Sequence, residues 1–313
     1  MMTTTKYGKV TRKLIQSRYA CLLTIAISVL SITNCKAQLN PFQAMYYQNR
    51  YMNNPAMAGL DKGLNLNLGY LQQWDTFPGT PKTQSLTAEY QATDKVGLGL
   101  NVNDNQEGIF RQTRIMGTYA YHLPVGGENQ KLNLGLSLGV NDPRLNYDAI
   151  NGDLSDIELQ KYNNQTPYFD GDLGLSYTSN NLFIEGVLPN LGINVFNRNG
   201  QRQDVDRTVF FTEISYKIDL SNSTGAFSLE PLAAYRQIKG FTNIFDAGLN
   251  FKMNNYYLDI QMIYHSNDNI GLGIAFNQQT YAIDFAYDIN RGQISSYANG
   301  TFELGLKLKI FNK

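Results

Sequence analysis

The residues with the clearest chemistry in this 313-residue chain are two histidines, two cysteines and a set of acids in polar stretches. Nucleophilic catalysis needs a serine or cysteine held beside a base such as histidine. His122 and His265 both stand near the ends of alternating stretches, with no recognisable serine motif around either. Cys21 lies inside an apolar run and Cys35 just beyond it, a usage that fits neither a disulfide framework nor a zinc module. The stretches 142–167 and 189–206 carry Asp148, Asp153, Asp156, Glu158, Asp204 and Asp206. Clustered oxygens suit calcium, but these acids lack a fixed ligand spacing and read as solvated surface. With no phosphate loop and no metal pair, the expectation is a protein without enzymatic activity, metal or cofactor.

The elements that would position any site follow from composition. Charged residues are 17% of the chain, low for a soluble domain, and 34 Asn and 21 Tyr stand in their place. The 26 basic and 26 acidic side chains balance only on average. Residues 1–37 hold six bases and no acid, leaving 20 basic against 26 acidic beyond them, a net charge of −6. The basic stretch to Arg18 precedes an apolar run from Ala20 to Ile32. That run is shorter than the ~20 residues of a membrane-spanning helix and fits the core of a signal peptide. Cys35-Lys36-Ala37 puts small residues at −3 and −1, so cleavage is expected after Ala37. Lipid attachment at Cys35 is the rival, but Asn34 is bulky where such processing takes a small residue. An acidic mature chain also excludes a nucleic-acid binder driven by bulk charge.

From residue 64 onward apolar and polar residues alternate with period two. Leu64, Leu66 and Leu68 alternate with Asn65, Asn67 and Gly69, and Leu132 to Val140 alternate with Asn133 to Asn141 in the same way. Phe302, Leu304, Leu306, Leu308 and Ile310 alternate with Glu303, Gly305, Lys307 and Lys309. The runs last about nine to twelve residues, the length of a tilted strand crossing a bilayer. Fourteen strands are expected: 64–74, 82–92, 95–105, 110–122, 131–141, 168–178, 181–188, 207–219, 225–236, 243–252, 255–264, 269–278, 280–289 and 300–311. Short links after even strands and longer ones after several odd strands give an all-β, antiparallel outer-membrane barrel with its short turns in the periplasm. Apolar positions would face lipid and Asn, Gly and Ser the lumen. Strand-end aromatics such as Trp74, Tyr119, Tyr121, Tyr256, Tyr257, Tyr264 and Tyr287 would form the rims.

Two ungrouped motifs remain. Tyr51-Met52-Asn53-Asn54-Pro55-Ala56-Met57-Ala58-Gly59 precedes the first strand, and Gln73-Trp74-Asp75-Thr76-Phe77-Pro78-Gly79-Thr80-Pro81 follows it. The combination resembles the PorP/SprF family of Bacteroidota outer-membrane proteins. The match rests on Tyr51, Met52, Asn54, Pro55, Ala56 and Gly59 and on Gln73, Trp74, Phe77, Gly79 and Pro81. Val96-Gly97-Leu98-Gly99-Leu100 and the segment Phe169 to Asn190 extend it. The resemblance implies a component of type IX secretion and gliding motility. Its partners would be the periplasmic ring and motor components and a secreted adhesin recognised by its C-terminal sorting domain. Glu303, Gly305, Leu308, Ile310 and Phe311 also match the terminal signal read by the outer-membrane insertion machinery.

The division expected is thus a signal peptide (1–37), an N-terminal segment (38–63) and a barrel embedded in outer-membrane lipid (64–313). The segment 38–63 reads equally as a periplasmic contact or lumenal plug, and as a short tether at the lower rim. Trp74 reads as a rim aromatic, with a surface anchor for a client as the rival. The competing function is a porin-like or FadL-like passive barrel for small solutes, with Lys307 and Lys309 tuning anion passage.

Overall fold

The structure is a computed structural model. It describes residues 42, 44–73, 79–127, 129–146, 150, 162, 167–194, 208–221, 226–239, 242–290 and 300–311. The leader 1–37 with its cleavage site, Trp74 and Phe77, and the acids Asp148, Asp153, Asp156, Glu158, Asp204 and Asp206 lie outside the described residues.

The alternating runs become antiparallel strands: β1 (Leu64–Gln73), β2 (Lys82–Thr93), β3 (Val96–Glu107), β4 (Phe110–Pro124), β5 (Lys131–Leu145), β6 (Tyr168–Thr178), β7 (Leu182–Leu188) and β8 (Thr208–Tyr216). After Lys217 the two-residue β9 (Ile218–Asp219) continues β8. Then come β10 (Phe227–Ile238), β11 (Ile244–Met253), β12 (Leu258–His265), β13 (Asn269–Asn277), β14 (Tyr281–Asn290) and β15 (Thr301–Ile310). Each pairs with its sequence neighbour, and β1 pairs β15 from Leu64↔Ile310 to Gln73↔Thr301. The sheet therefore closes as a 14-strand barrel, with β8 and β9 counted as one interrupted strand. Closure is what a membrane demands, because an unpaired strand edge in hydrocarbon leaves its N–H and C=O groups unsatisfied. Among the described residues no helix is long and apolar enough to cross a membrane.

The two faces follow the alternation. Leu68, Leu98, Leu100, Leu134, Leu136, Leu138, Leu272 and Leu304 point outward and are exposed, while Asn65, Asn67, Asn133, Ser137 and Glu303 point inward and are buried. Outer aromatics pair across strands, Phe285 with Phe302 at 5.2 Å and Phe276 with Tyr281 at 6.4 Å between ring centroids. Such cross-strand pairs help fix register.

Strand ends depart from the alternation in places. β4 and β5 run on to Pro124 and Leu145, where the pairs Pro124↔Lys131 and Phe110↔Leu145 carry the ladder past the ends expected at 122 and 141. β12 begins only at Leu258, because Asn254–Tyr256 forms a 3-10 turn and Tyr257 takes a left-handed φ of 56°. The inner face is also less uniformly polar than expected. Val187, Phe211, Leu232, Ala234 and Ile263 form an apolar cup on it.

Candidate functional site in the barrel lumen

The segment before β1 fills this cup and most of the inner wall around it. A helical turn, Ala44–Tyr47, leads into 3-10 turns at Arg50–Met52 and Pro55–Met57. No run in the segment has a strand period, and Asn54-Pro55 starts a turn for a local reason. The Asn54 side chain accepts from the Ala56 backbone N–H at 2.8 Å, capping a turn that begins on Pro55. The segment ends at Gly59 and Gly63, both with positive φ. At Gly59 a side chain would also meet the Tyr90 carbonyl.

Tyr46 is fully buried in the apolar cup. Its hydroxyl donates to Asp246, and Arg236 donates to that hydroxyl at 3.2 Å. Arg50 reaches the same stretch of wall, on β7, β8 and β10. It donates to Glu230 at 2.5 Å and Ser215 at 3.1 Å, lies 3.8 Å from Glu213, and covers the Phe183 ring at 3.9 Å. Burial works against the Arg50 charge, but Glu213 and Glu230 outweigh it and raise its pKa. Tyr51 shares a hydrogen bond with Thr118 at 2.8 Å, and Thr118 another with Ser137 at 2.6 Å. Asn54 donates to Glu185 at 2.7 Å. The Gly59 N–H donates to Glu89 at 3.2 Å. Met52 offers its carbonyl to Asn101, and Lys307 binds Asp61 at 3.2 Å.

The six residues on which the first match rests are therefore engaged with the wall or packed beside it. Tyr51, Asn54, Pro55, Ala56 and Gly59 are buried, and Met52 packs partly buried against Phe42 and Leu71. The wall makes room with glycine. A Cβ on Gly99 would strike the Tyr51 ring, one on Gly135 would strike Pro55 and Ala56, and one on Gly174 would strike Asn54. The inward glycines are thus steric gaps matched to this segment.

The second motif is only partly described. Gln73 is buried and its N–H donates to the Pro81 carbonyl at 3.0 Å. Gly79, with φ 81°, is exposed and its carbonyl accepts from Gly108 at 3.0 Å. These bonds tie the β1–β2 link to the β3–β4 hairpin. The terminal strand divides as its alternation implies. Glu303 faces the lumen and is buried, Gly305 lies against the Asp284 carboxylate, and Leu308 and Phe311 are exposed, with Ile310 partly buried.

Neither histidine sits in an open catalytic setting. His122 is buried and bridges Asn133 Oδ1 at 2.8 Å and the Ala58 carbonyl at 3.1 Å. His265 is buried with Nδ1 2.6 Å from Asp246 and Nε2 3.9 Å from Asp288. Both histidines serve the contact between segment and wall, His122 directly and His265 through Asp246. Lys307 does point inward, but it is occupied by Asp61 rather than lining a free passage.

Sequence reasoning missed the lumenal acids Glu89, Glu185, Glu213, Glu230 and Asp246. The available signal was phase: each falls on the inward position of an otherwise apolar alternation, where a charge needs a partner.

Sequence comparison adds the family. Residues 35–308 match the family described as type IX secretion system membrane protein PorP/SprF. Among curated proteins none matches. Similar solved structures include the toluene transporter TbuX of Ralstonia pickettii, with TM-score 0.49, 11% identity, and coverage of 84% of this chain and 93% of that one. The monoaromatic hydrocarbon channel CymD gives 0.46, 10%, 89% and 95%. A Pseudomonas aeruginosa FadL homologue gives 0.45, 12%, 83% and 94%. The family match takes in both the lumenal motif and the barrel around it, and the chain belongs to the PorP/SprF family of type IX secretion system membrane proteins.

Proposed function

We propose that this protein is a non-enzymatic outer-membrane component of type IX secretion and gliding. In this reading it supports export or surface attachment of a secreted adhesin, recognised through that client's C-terminal sorting domain. Residues 1–37 are its signal peptide, cleaved after Ala37, and the secretion machinery of the periplasm is its second partner. The single observation that carries the reading is the family match over residues 35–308. The occupied lumen supports it, because a segment bonded to the wall on many sides suits a barrel that does not leak. Deleting the gene should leave one adhesin absent from the cell surface or shed into the medium. Normal surface levels of every type IX client would overturn the proposal. Purified barrel in planar bilayers separates this role from passive transport: a silent barrel fits secretion, and steady open channels fit a solute pore.

A further inference from the structure

The ion pairs around Arg50 are unbalanced. Glu185, Glu213 and Glu230 stand on the inner faces of three adjoining wall strands, β7, β8 and β10, each at most 6% exposed. Arg50 binds Glu230 at 2.5 Å and stands 3.8 Å from Glu213. Lys252 binds the other oxygen of Glu230 at 2.8 Å. Glu185 is held by Asn54, another residue of the lumenal segment. Glu213 Oε1 is buried without a hydrogen bond, and so is the neighbouring Tyr47 hydroxyl. Two of the three carboxylates thus depend on the lumenal segment for a partner, and Arg50 is the cation it supplies.

How the segment is attached makes this imbalance consequential. From Ala44 to Lys62 its bonds to the wall described above run through side chains on one partner or both. The first backbone-to-backbone bond to the wall is at its end, where Gln91 donates to Gly63. It joins no strand ladder, so leaving the lumen breaks no sheet. Its departure would leave three carboxylates of the emptied lumen facing Lys252 alone. Water would then solvate them, but like charges on adjoining strands repel one another, and a cation in the slot relieves that repulsion. The place left by Arg50 therefore favours another cation.

We propose that the glutamate triad is a receptor slot for a basic side chain, and that a partner peptide carrying an arginine or lysine displaces the lumenal segment by taking Arg50's place. The flanking surfaces fit such a peptide. Phe183 offers its ring face to a guanidinium. The Val187, Phe211, Leu232, Ala234 and Ile263 cup, now filled by Tyr46, takes an aromatic nearby. The partner segment is accordingly basic with an adjacent aromatic. This goes beyond the secretion role and does not depend on it, since the peptide is defined by its chemistry alone, a basic side chain beside an aromatic one.

The test uses the full barrel, purified from membranes, with a Met57→Cys reporter. Met57 is buried against Ser176 in the last turn of the segment, and the change removes volume rather than adding it. Maleimide modification at position 57 is followed by mass spectrometry of the peptide that carries it. Two twelve-residue peptides are compared, one with arginines beside tyrosines and one with each arginine replaced by glutamine. The basic peptide should accelerate modification about tenfold over its glutamine twin, corresponding to roughly 1.4 kcal/mol. Arg50→Gln should modify faster than its parent with no peptide, and Arg50→Lys should stay close to the parent. Equal rates with the two peptides would overturn the proposal. If Arg50→Gln does not assemble, the peptide comparison on the parent barrel decides alone.

Discussion

Asn54 joins the lumenal turn to the wall with one side chain: its Nδ2 donates to Glu185 at 2.7 Å while its Oδ1 accepts from the Ala56 N–H. Cutting Asn54 to alanine removes a turn cap and leaves a buried carboxylate without its neutral donor. The combined loss is about 2 kcal/mol, roughly 30-fold in the population of the open segment. Trypsin cleavage after Arg50, which is enclosed in the native lumen, reports that population when opening is fast relative to cutting. Asn54→Ala should be cut after Arg50 roughly 30 times faster than the parent. A cleavage rate equal to the parent's would show that this side chain does not hold the segment.

The inward glycines make a second, sterically sharper prediction. A Cβ at Gly135 would overlap the backbone of Pro55 and Ala56, and one at Gly174 would overlap the Asn54 side chain and the Pro55 ring, both held in the lumenal turn. Gly135→Ala and Gly174→Ala should expel the lumenal segment while leaving the barrel closed, since the strand conformation itself tolerates alanine. Overpacking of this kind costs about 1–3 kcal/mol. Gly117 is the control. It faces outward, and a Cβ there would approach only the Leu138 carbonyl at 3.9 Å. Gly117→Ala should match the parent in both trypsin sensitivity and heat-modifiable migration on gels.

These two cases mark where the sequence was legible. Gly135 sits in the run Leu132 to Val140, whose alternation gives strand, phase and facing side without any structure. The same holds for most strands, because a period of two in one stretch of chain is a local property. Asn54-Pro55 was legible as a turn, again locally. What could not be read is that Gly135 and Gly174 are gaps for Asn54, Pro55 and Ala56, residues about 80 to 120 positions away. The match between a wall without a period-2 role for glycine and a segment without a period of its own appears only when the barrel closes. The acids Glu185, Glu213 and Glu230 belong to the same class: each is one inward residue on its own strand, and they become a triad only through the order β7-β8-β10.

The outer wall should reject charge by depth. Leu138 and Leu272 are exposed to the membrane side on β5 and β13, and each lies mid-strand. Leu272→Lys should destabilise the barrel by about 2–4 kcal/mol if it stands at the bilayer centre, and lysine at Ile310, at the strand end, by about 1 kcal/mol or less. The measurement is the urea midpoint of the heat-modifiable band after refolding into lipid. Equal effects at Leu272 and Ile310 would contradict the assignment of the apolar face to lipid.

The lower tether of the lumenal segment carries a pH dependence. Lys307 stands 3.2 Å from Asp61 and holds its carboxyl below the usual carboxylate range. A carboxyl whose folded pKa is lowered contributes stability above its unfolded value of about 4 and loses it as pH falls through the folded value. The bond should therefore be fully present at neutral pH and disappear on acidification. The Asp61 side chain is 65% exposed, so solvent screens the pair and the effect is small. Asp61→Asn should lower the thermal midpoint of the purified barrel slightly near pH 7. The difference from the parent should close as the pH falls through the lowered folded value, where the parent's Asp61 itself takes up a proton. A gap that persists unchanged in acid would mean that Asp61 acts through shape or hydrogen bonding rather than through its charge on Lys307.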